Sequence, residues 1–217
     1  MSDSIKFFEE NKYLKINNII DKNVCTLLYE HIKDQATRLC LLENNDLEYE
    51  GEYHGTFEDA QAPGDYSKYG DPICDTLLKL IMPEVGKLIG KKLVPTYSYH
   101  RLYTFESELI RHKDRKSCDF SMTLCLGYNN ENIQNGESYN WLMFVLDKNG
   151  KDVPIYMLPG EAIIYRGCDV IHWREPLKGL NHAQVFLHYN EDDGVNEKKY
   201  DERFYLGLPT KYRPNND

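Results

Sequence analysis

After Val94 the chain changes period, and that change limits what it can fold into. "TYSYHRLYTF" alternates β-branched and aromatic residues with polar ones. "DFSMTLCLGY", "NWLMFVLD", "VPIYMLP", "EAIIYRG", "VIHW" and "HAQVFLHYN" follow, each bounded by Gly, Asn, Asp or Pro. Short strands at this spacing close into a sandwich or barrel rather than a parallel sheet. "LDKNGKDVP" reads as a hairpin loop, because Asn149 and Gly150 tolerate positive φ.

The N-terminal part has the other period. Asp21 suits the N-cap of "KNVCTLLYEHIKDQATRLCLLEN", whose Val24, Leu27, Leu28, Ile32 and Leu39 share a helical face. Asp71-Pro72 opens a second helix over "ICDTLLKLIMPEVGKLIGKKL", which Pro83 is expected to kink or divide. Residues 44–71 form a long polar loop between the two, and long loops in compact domains are often functional. The 217 residues show no repeat and no linker. The expectation is one domain over residues 1–217 of mainly β, α+β type. It has helical support over about 1–93, a β core over about 94–190 and a tail over 191–217, whose "RFYLGL" docks on the body or on another subunit.

Lys plus Arg is 26 and Asp plus Glu is 35, so the formal charge is −9. That balance argues against nucleic acid as a partner. Six cysteines make no C-x-x-C and no zinc-finger spacing, which reads as reduced thiols. The N-terminus "MSDSIKFFEENKYLK" lacks a signal-peptide core, and no apolar run is long enough to span a membrane. The expected setting is cytoplasmic. The sequence sets no oligomeric state.

One constellation carries chemistry. His112 and Asp114 are two apart in "LIRHKDRKSCDFSM", so on a strand they share a face. His172, in "RGCDVIHWREPLKG", ends a later strand-like run. Two histidines and one carboxylate can hold non-haem iron on one face and leave positions open for a co-substrate and dioxygen. The plainer alternative is a charged surface turn and a core histidine. Two further readings use the same residues: a zinc-dependent hydrolase, or a non-catalytic binding module with structural histidines.

The blocks "YHRLYTFESELIRHKDRKSCDFSMTLCL" (99–126) and "PGEAIIYRGCDVIHWREPLKG" (159–179), followed by "VFLHYN", resemble the 2-oxoglutarate- and iron(II)-dependent oxygenases. The likeness is to prolyl-hydroxylase-like members of the bacterial and phage type. The resemblance implies a double-stranded β-helix (jelly roll) with N-terminal helices. It implies Fe(II) held by His112, Asp114 and His172, which are then both the metal ligands and the catalytic centre. It implies 2-oxoglutarate and O2 as co-substrates, with ascorbate as a compatible accessory. The implied reaction hydroxylates an unactivated C–H bond of a protein, peptide or small molecule, with peptidyl proline or another amino-acid residue as candidates. Succinate and CO2 are the by-products.

The co-substrate site departs from the family pattern. Relatives carry Arg or Lys about ten residues after the distal histidine to pair with the far carboxylate of 2-oxoglutarate; this chain has His182 there. A protonated His182 aided by Gln184 could serve, or else Arg166 or Arg174, since a guanidinium fork matches a carboxylate. Tyr103, nine residues before His112, matches a tyrosine that meets the same carboxylate in relatives; the alternative is a core tyrosine. Arg115 and Asp119 either pair with each other or orient the ligands. Cys118 and Cys168 read as packing residues; His188 is either inward on the last strand or, the more usual case, a satisfied core histidine, while Trp173 either walls the mouth or packs.

Overall fold

The computed structural model describes residues 2–133, 140–192 and 196–213. Among the described residues, ten strands form two antiparallel sheets. They are β1 (Tyr13–Ile16), β2 (Tyr66–Tyr69), β3 (Leu93–Thr104), β4 (Leu109–His112), β5 (Phe120–Asn129), β6 (Met143–Leu146), β7 (Asp152–Ile155), β8 (Ala162–Tyr165), β9 (His172–Arg174) and β10 (Asn181–Glu191). The large sheet runs β1-β8-β5-β10-β3-β2 and the small one β4-β9-β6-β7. Strands that alternate between two facing sheets in this way make a double-stranded β-helix, so the expected jelly roll is present.

Among the described residues, four α-helices accompany the sheets: α1 (Asp3–Asn11), α2 (Lys22–Asn44), α3 (Gly51–His54) and α4 (Pro72–Ile89). The Asp21 carboxylate accepts from the Asn23 amide at 2.8 Å and starts α2. Asp71 does the same for Ile73 (3.0 Å) and Cys74 (3.3 Å) at the start of α4, with Pro72 in the first turn. Gly90, at φ 70°, ends it. Pro83 does not divide this helix. It lies on the exposed face, where the carbonyl it leaves unpaired meets water. The buried stripe of Leu78, Ile81 and Val85 continues past it. That packing outweighs the roughly 3 kcal/mol an interior proline costs.

The N-terminal region also holds β1 and β2, which the helical expectation for residues 1–93 did not include. β1 pairs with β8 at one edge of the large sheet and β2 with β3 at the other. Within the 44–71 loop lie α3 and β2. The hairpin loop after β6 is as expected, with Gly150 at φ 76°. Residues 134–139 are outside the described residues, as are 193–195 and 214–217 of the tail.

β10 shows how the core and the site are separated. Its Ala183, Val185, Leu187 and Tyr189 join Leu28, Ile32 and Leu78 of the helices in the main hydrophobic cluster. Its other face carries His182, Gln184, Phe186 and His188, of which the three polar side chains are buried. The hydrophobic face therefore serves the helices, and the polar face lines the barrel. Buried polar side chains in a row are uncommon in a core that only packs. The described tail docks on the body: Arg203 reaches Asp75 of α4 at 3.0 Å, and the Gly207 amide reaches the same carboxylate at 2.7 Å.

Candidate metal centre

His112 ends β4, and Asp114 follows two residues later, its amide held by the Gly167 carbonyl at 2.9 Å. His172 begins β9 and is the direct cross-strand partner of His112. Their rings lie 4.2 Å apart. Asp114 Oδ1 is 3.7 Å from His112 Nε2 and 3.6 Å from His172 Nε2. One ligand atom from each of the three lies within 4.8 Å of the others. This sequence-predicted trio is brought together at the mouth of the barrel.

The hydrogen bonds fix which nitrogen faces the centre. His112 Nδ1 is 2.8 Å from the Ile110 carbonyl, and His172 Nδ1 is 3.1 Å from the Val170 carbonyl. A carbonyl only accepts, so Nδ1 carries the proton in both rings and Nε2 offers a lone pair. Burial holds His172 down at about 4, with the Asp114 carboxylate opposing that shift. The ring is therefore neutral at neutral pH, as a ligand must be. The donor set of two imidazole nitrogens and a carboxylate fits a first-row metal on one face.

A support layer that the sequence reading did not single out as such surrounds these atoms. The Ser121 hydroxyl donates to Asp114 Oδ2. Ser121 then accepts from His188 Nδ1 at 3.0 Å. His188 is thus an inward residue of the site, not a detached core histidine. The Tyr165 hydroxyl lies 3.3 Å from His172 Nε2 and 3.3 Å from Thr123 Oγ1. Gly167 is required by close approach. A Cβ there would meet the Cys118 carbonyl and Ser121 Oγ at 2.5 Å and Asp114 Oδ2 at 2.8 Å.

Arg115 does not pair with Asp119. Its guanidinium reaches Asp201 of the tail at 2.7 Å and the Tyr97 hydroxyl at 3.1 Å. Cys118 is buried with its sulfur 3.1 Å from the Tyr97 hydroxyl, and burial pushes its thiol up to about 12, which fits packing rather than nucleophilic work. Cys168 is half-buried, its thiol donating to the Arg115 carbonyl at 3.3 Å. Trp173 stacks on Phe144 and under Arg111, and does not line the triad's cavity.

The four co-substrate candidates separate. Tyr103 is fully buried and its hydroxyl accepts from Arg101 at 2.9 Å. Arg174 shares the inward face of β9 with His172, lies against Trp141 and donates to the Trp141 carbonyl at 2.8 Å. Arg166 lies outside the cavity, paired with Asp169 at 3.3 Å and resting on Phe120, so it is not placed for the role. His182 is not a cation: burial, with Arg174 nearby, keeps it well below the usual histidine range. Its Nε2 is 3.1 Å from the Gln184 amide nitrogen instead.

A cavity of about 240 Å³ opens beside the triad and is lined by Tyr99, Arg101, Phe186 and Asp59 among others. Arg101 was not anticipated. Its signal was present in "HRLY", where an arginine alternates in phase with inward tyrosines, but a lone arginine in a strand is easily read as edge or surface.

The chain has the double-stranded β-helix of the 2-oxoglutarate/Fe(II) oxygenases, with an H-x-D…H triad at its mouth. Solved structures share the fold. A prolyl-4-hydroxylase from Pseudomonas putida aligns with TM-score 0.63 and 14% identity, over 87% of this chain and 97% of that one. HygX from Streptomyces hygroscopicus, with nickel and 2-oxoglutarate bound, aligns with TM-score 0.62 and 9% identity, over 89% and 88%. A Trichoplax adhaerens prolyl hydroxylase in complex with a hypoxia inducible factor peptide fragment aligns with TM-score 0.58 and 14% identity, over 86% and 87%. No family model and no curated relative matches the chain. Among the described residues, no helix is long and apolar enough to cross a membrane.

Proposed function

We propose that the chain, acting as one domain, is an Fe(II)- and 2-oxoglutarate-dependent dioxygenase that hydroxylates an unactivated C–H bond. One observation carries this reading: His112 and His172 are fixed in the same tautomer, with both Nε2 atoms turned toward Asp114 beside an open cavity. Iron bound there would supply oxygen activation, driven by conversion of 2-oxoglutarate to succinate and CO2.

The protein's own part is to hold and shield. The carbonyls of Ile110 and Val170 orient the two imidazoles. The Ser121 hydroxyl takes one lone pair of Asp114 Oδ2 and leaves Oδ1 facing the histidines. The Tyr165 hydroxyl, fully buried, supplies a donor beside the reacting centre. Tyr103 is fully buried, and its hydroxyl accepts from Arg101, a residue of the triad's cavity; Arg174 is buried beside Trp141. Arg166 and His182 have no part in this assignment.

The finer reading, that the substrate is peptidyl proline or another amino-acid residue, is supported by the prolyl hydroxylases among the structural neighbours. Ascorbate is not part of the proposal, since no feature of the site calls for it.

The test is anaerobic titration with Fe(II) and 2-oxoglutarate, followed by exposure to air. A visible charge-transfer band and then succinate are expected. Absence of both, with zinc found in the purified protein, would favour the hydrolase instead.

A further inference from the structure

Arg101 is almost fully buried on β3, with Ser67 of β2 and Gln184 of β10 as its cross-strand partners. Its guanidinium lines the same cavity as the triad. Three neutral groups steady the fork: Ser67 Oγ accepts from Nε at 3.1 Å, the Tyr103 hydroxyl from Nη1 at 2.9 Å, and Gln61 Oε1 from Nη2 at 3.5 Å. The fourth partner is a carboxylate. Asp59 Oδ2 accepts from Nη2 at 2.5 Å and also from the Tyr99 hydroxyl.

Asp59 belongs to no strand or helix. It sits in the irregular run between α3 and β2, where its Oδ1 closes a turn by accepting the Gln61 amide at 2.8 Å. The cavity thus already contains a working carboxylate subsite, an arginine plus a tyrosine hydroxyl, filled by a side chain from a loop. The other candidate cations are placed elsewhere: Arg174 donates to the Trp141 carbonyl at 2.8 Å and does not line this cavity. Arg115 pairs with Asp201, Arg166 with Asp169, and His182 is neutral.

We propose that Arg101 is the cation that holds the far carboxylate of 2-oxoglutarate, and that Asp59 occupies its place until the co-substrate displaces it. This rests on the iron oxygenase reading given above. It also explains how the chain manages without a cation at His182: the guanidinium comes from the first long core strand, and its fork reaches the hydroxyl of the fully buried Tyr103. The exchange is electrically even. One carboxylate leaves as another arrives, so the buried guanidinium is at no point left uncompensated, the state that makes breaking a buried pair costly. Burial pushes the Asp59 carboxyl up, but Arg101 and the Tyr99 hydroxyl outweigh it, so Asp59 is held ionised and competes as an anion.

The experiment compares 2-oxoglutarate with pyruvate, which chelates through the same keto-acid end but has no far carboxylate. Fe(II)-loaded protein is titrated with each under nitrogen by calorimetry, and the visible band is recorded. The wild type should prefer 2-oxoglutarate by about 30-fold or more, the scale of a charge-assisted pair. Arg101→Gln should bring the two within about threefold, and Arg101→Lys should fall between. Asp59→Asn should tighten 2-oxoglutarate about fivefold and leave pyruvate unchanged. Asp59 is on a loop, so that variant keeps the test alive if Arg101→Gln fails to fold. Hydrogen exchange adds a third readout: the Gln61 amide should lose protection when 2-oxoglutarate binds, and not when pyruvate binds.

An unchanged ratio in Arg101→Gln would overturn the proposal. So would an Asp59→Asn variant that binds 2-oxoglutarate more weakly, since Asp59 would then be a fixed buttress. A pyruvate band with either of these results leaves the iron site standing and removes only this inference. No band with either keto acid removes both.

Discussion

His112 and His172 face each other across β4 and β9, and each places Nδ1 on the carbonyl two residues before it in the chain. The repeat is a consequence of strand geometry. Residues i and i−2 share a face, so a histidine can turn its ring back onto its own backbone. Both rings are locked by local contacts that need no metal. The centre is therefore organised before anything binds.

That pre-organisation depends on Gly167. A methyl group there has no room beside the Cys118 carbonyl, and Asp114 Oδ2 is the softer neighbour to give way. Gly167→Ala is expected to lower Fe(II) affinity by about 100-fold while far-UV circular dichroism stays native. Metal titration checks this; wild-type affinity would show that the loop yields instead.

Ser121 aims Asp114 from the other side. Ser121→Ala removes the donor to Oδ2 and also strands His188 Nδ1. An iron affinity about tenfold weaker is expected. Adding His188→Phe to it should cost little more, because the two residues act through one hydrogen-bond chain.

These two residues also show what could be read from the sequence. The triad could be, because H-x-D before one strand-like run and a histidine at the end of a later one are local patterns, and the family resemblance of the two blocks chose among their meanings. The support layer could not. Ser121, Tyr165, Arg101 and His188 lie on four strands, and only the sheet order places them on one wall. Asp59 was beyond reach for another reason: an aspartate in a polar loop looks the same whether it meets water or a buried guanidinium. β1 and β2 were missed because "YLKI" and "YSKY" are four-residue edge strands in polar surroundings, and their pairing with β8 and β3 is long-range. Pro83 does not divide α4, since a proline on a helix's wet face loses one hydrogen bond and no packing.

The buried histidines make the metal-free protein acid-sensitive. Burial holds His100 down at about 3 and His188 at about 4, with His182 also well below the usual range. In the unfolded chain each returns to about 6.5. Below that value the unfolded state binds protons that the folded state does not, so stability falls with pH from about 6.5 down to about 4. By pH 5 the loss is up to about 2 kcal/mol for each such histidine. Urea midpoints at pH 7 and pH 5 measure it, and equal midpoints would contradict the burial.

The tail is expected to be structural. Asp75 is buried and accepts from the Ser98 amide and hydroxyl as well as from Arg203 and the Gly207 amide. Arg203→Ala leaves that carboxylate short of its cation and should cost about 3–5 kcal/mol. Arg203→Met with Asp75→Asn should recover part of the loss. Urea unfolding of the three proteins decides it.

The central claim is that His112, Asp114 and His172, and no other histidine or acid in the barrel, hold the metal. Iron content after anaerobic loading and desalting tests it across one panel of proteins. The wild type and His182→Gln should keep about one equivalent of iron, and His112→Ala, Asp114→Ala and His172→Ala should each keep less than about a tenth. Iron retained by all three triad variants, or lost only when His182 is changed, would contradict the account.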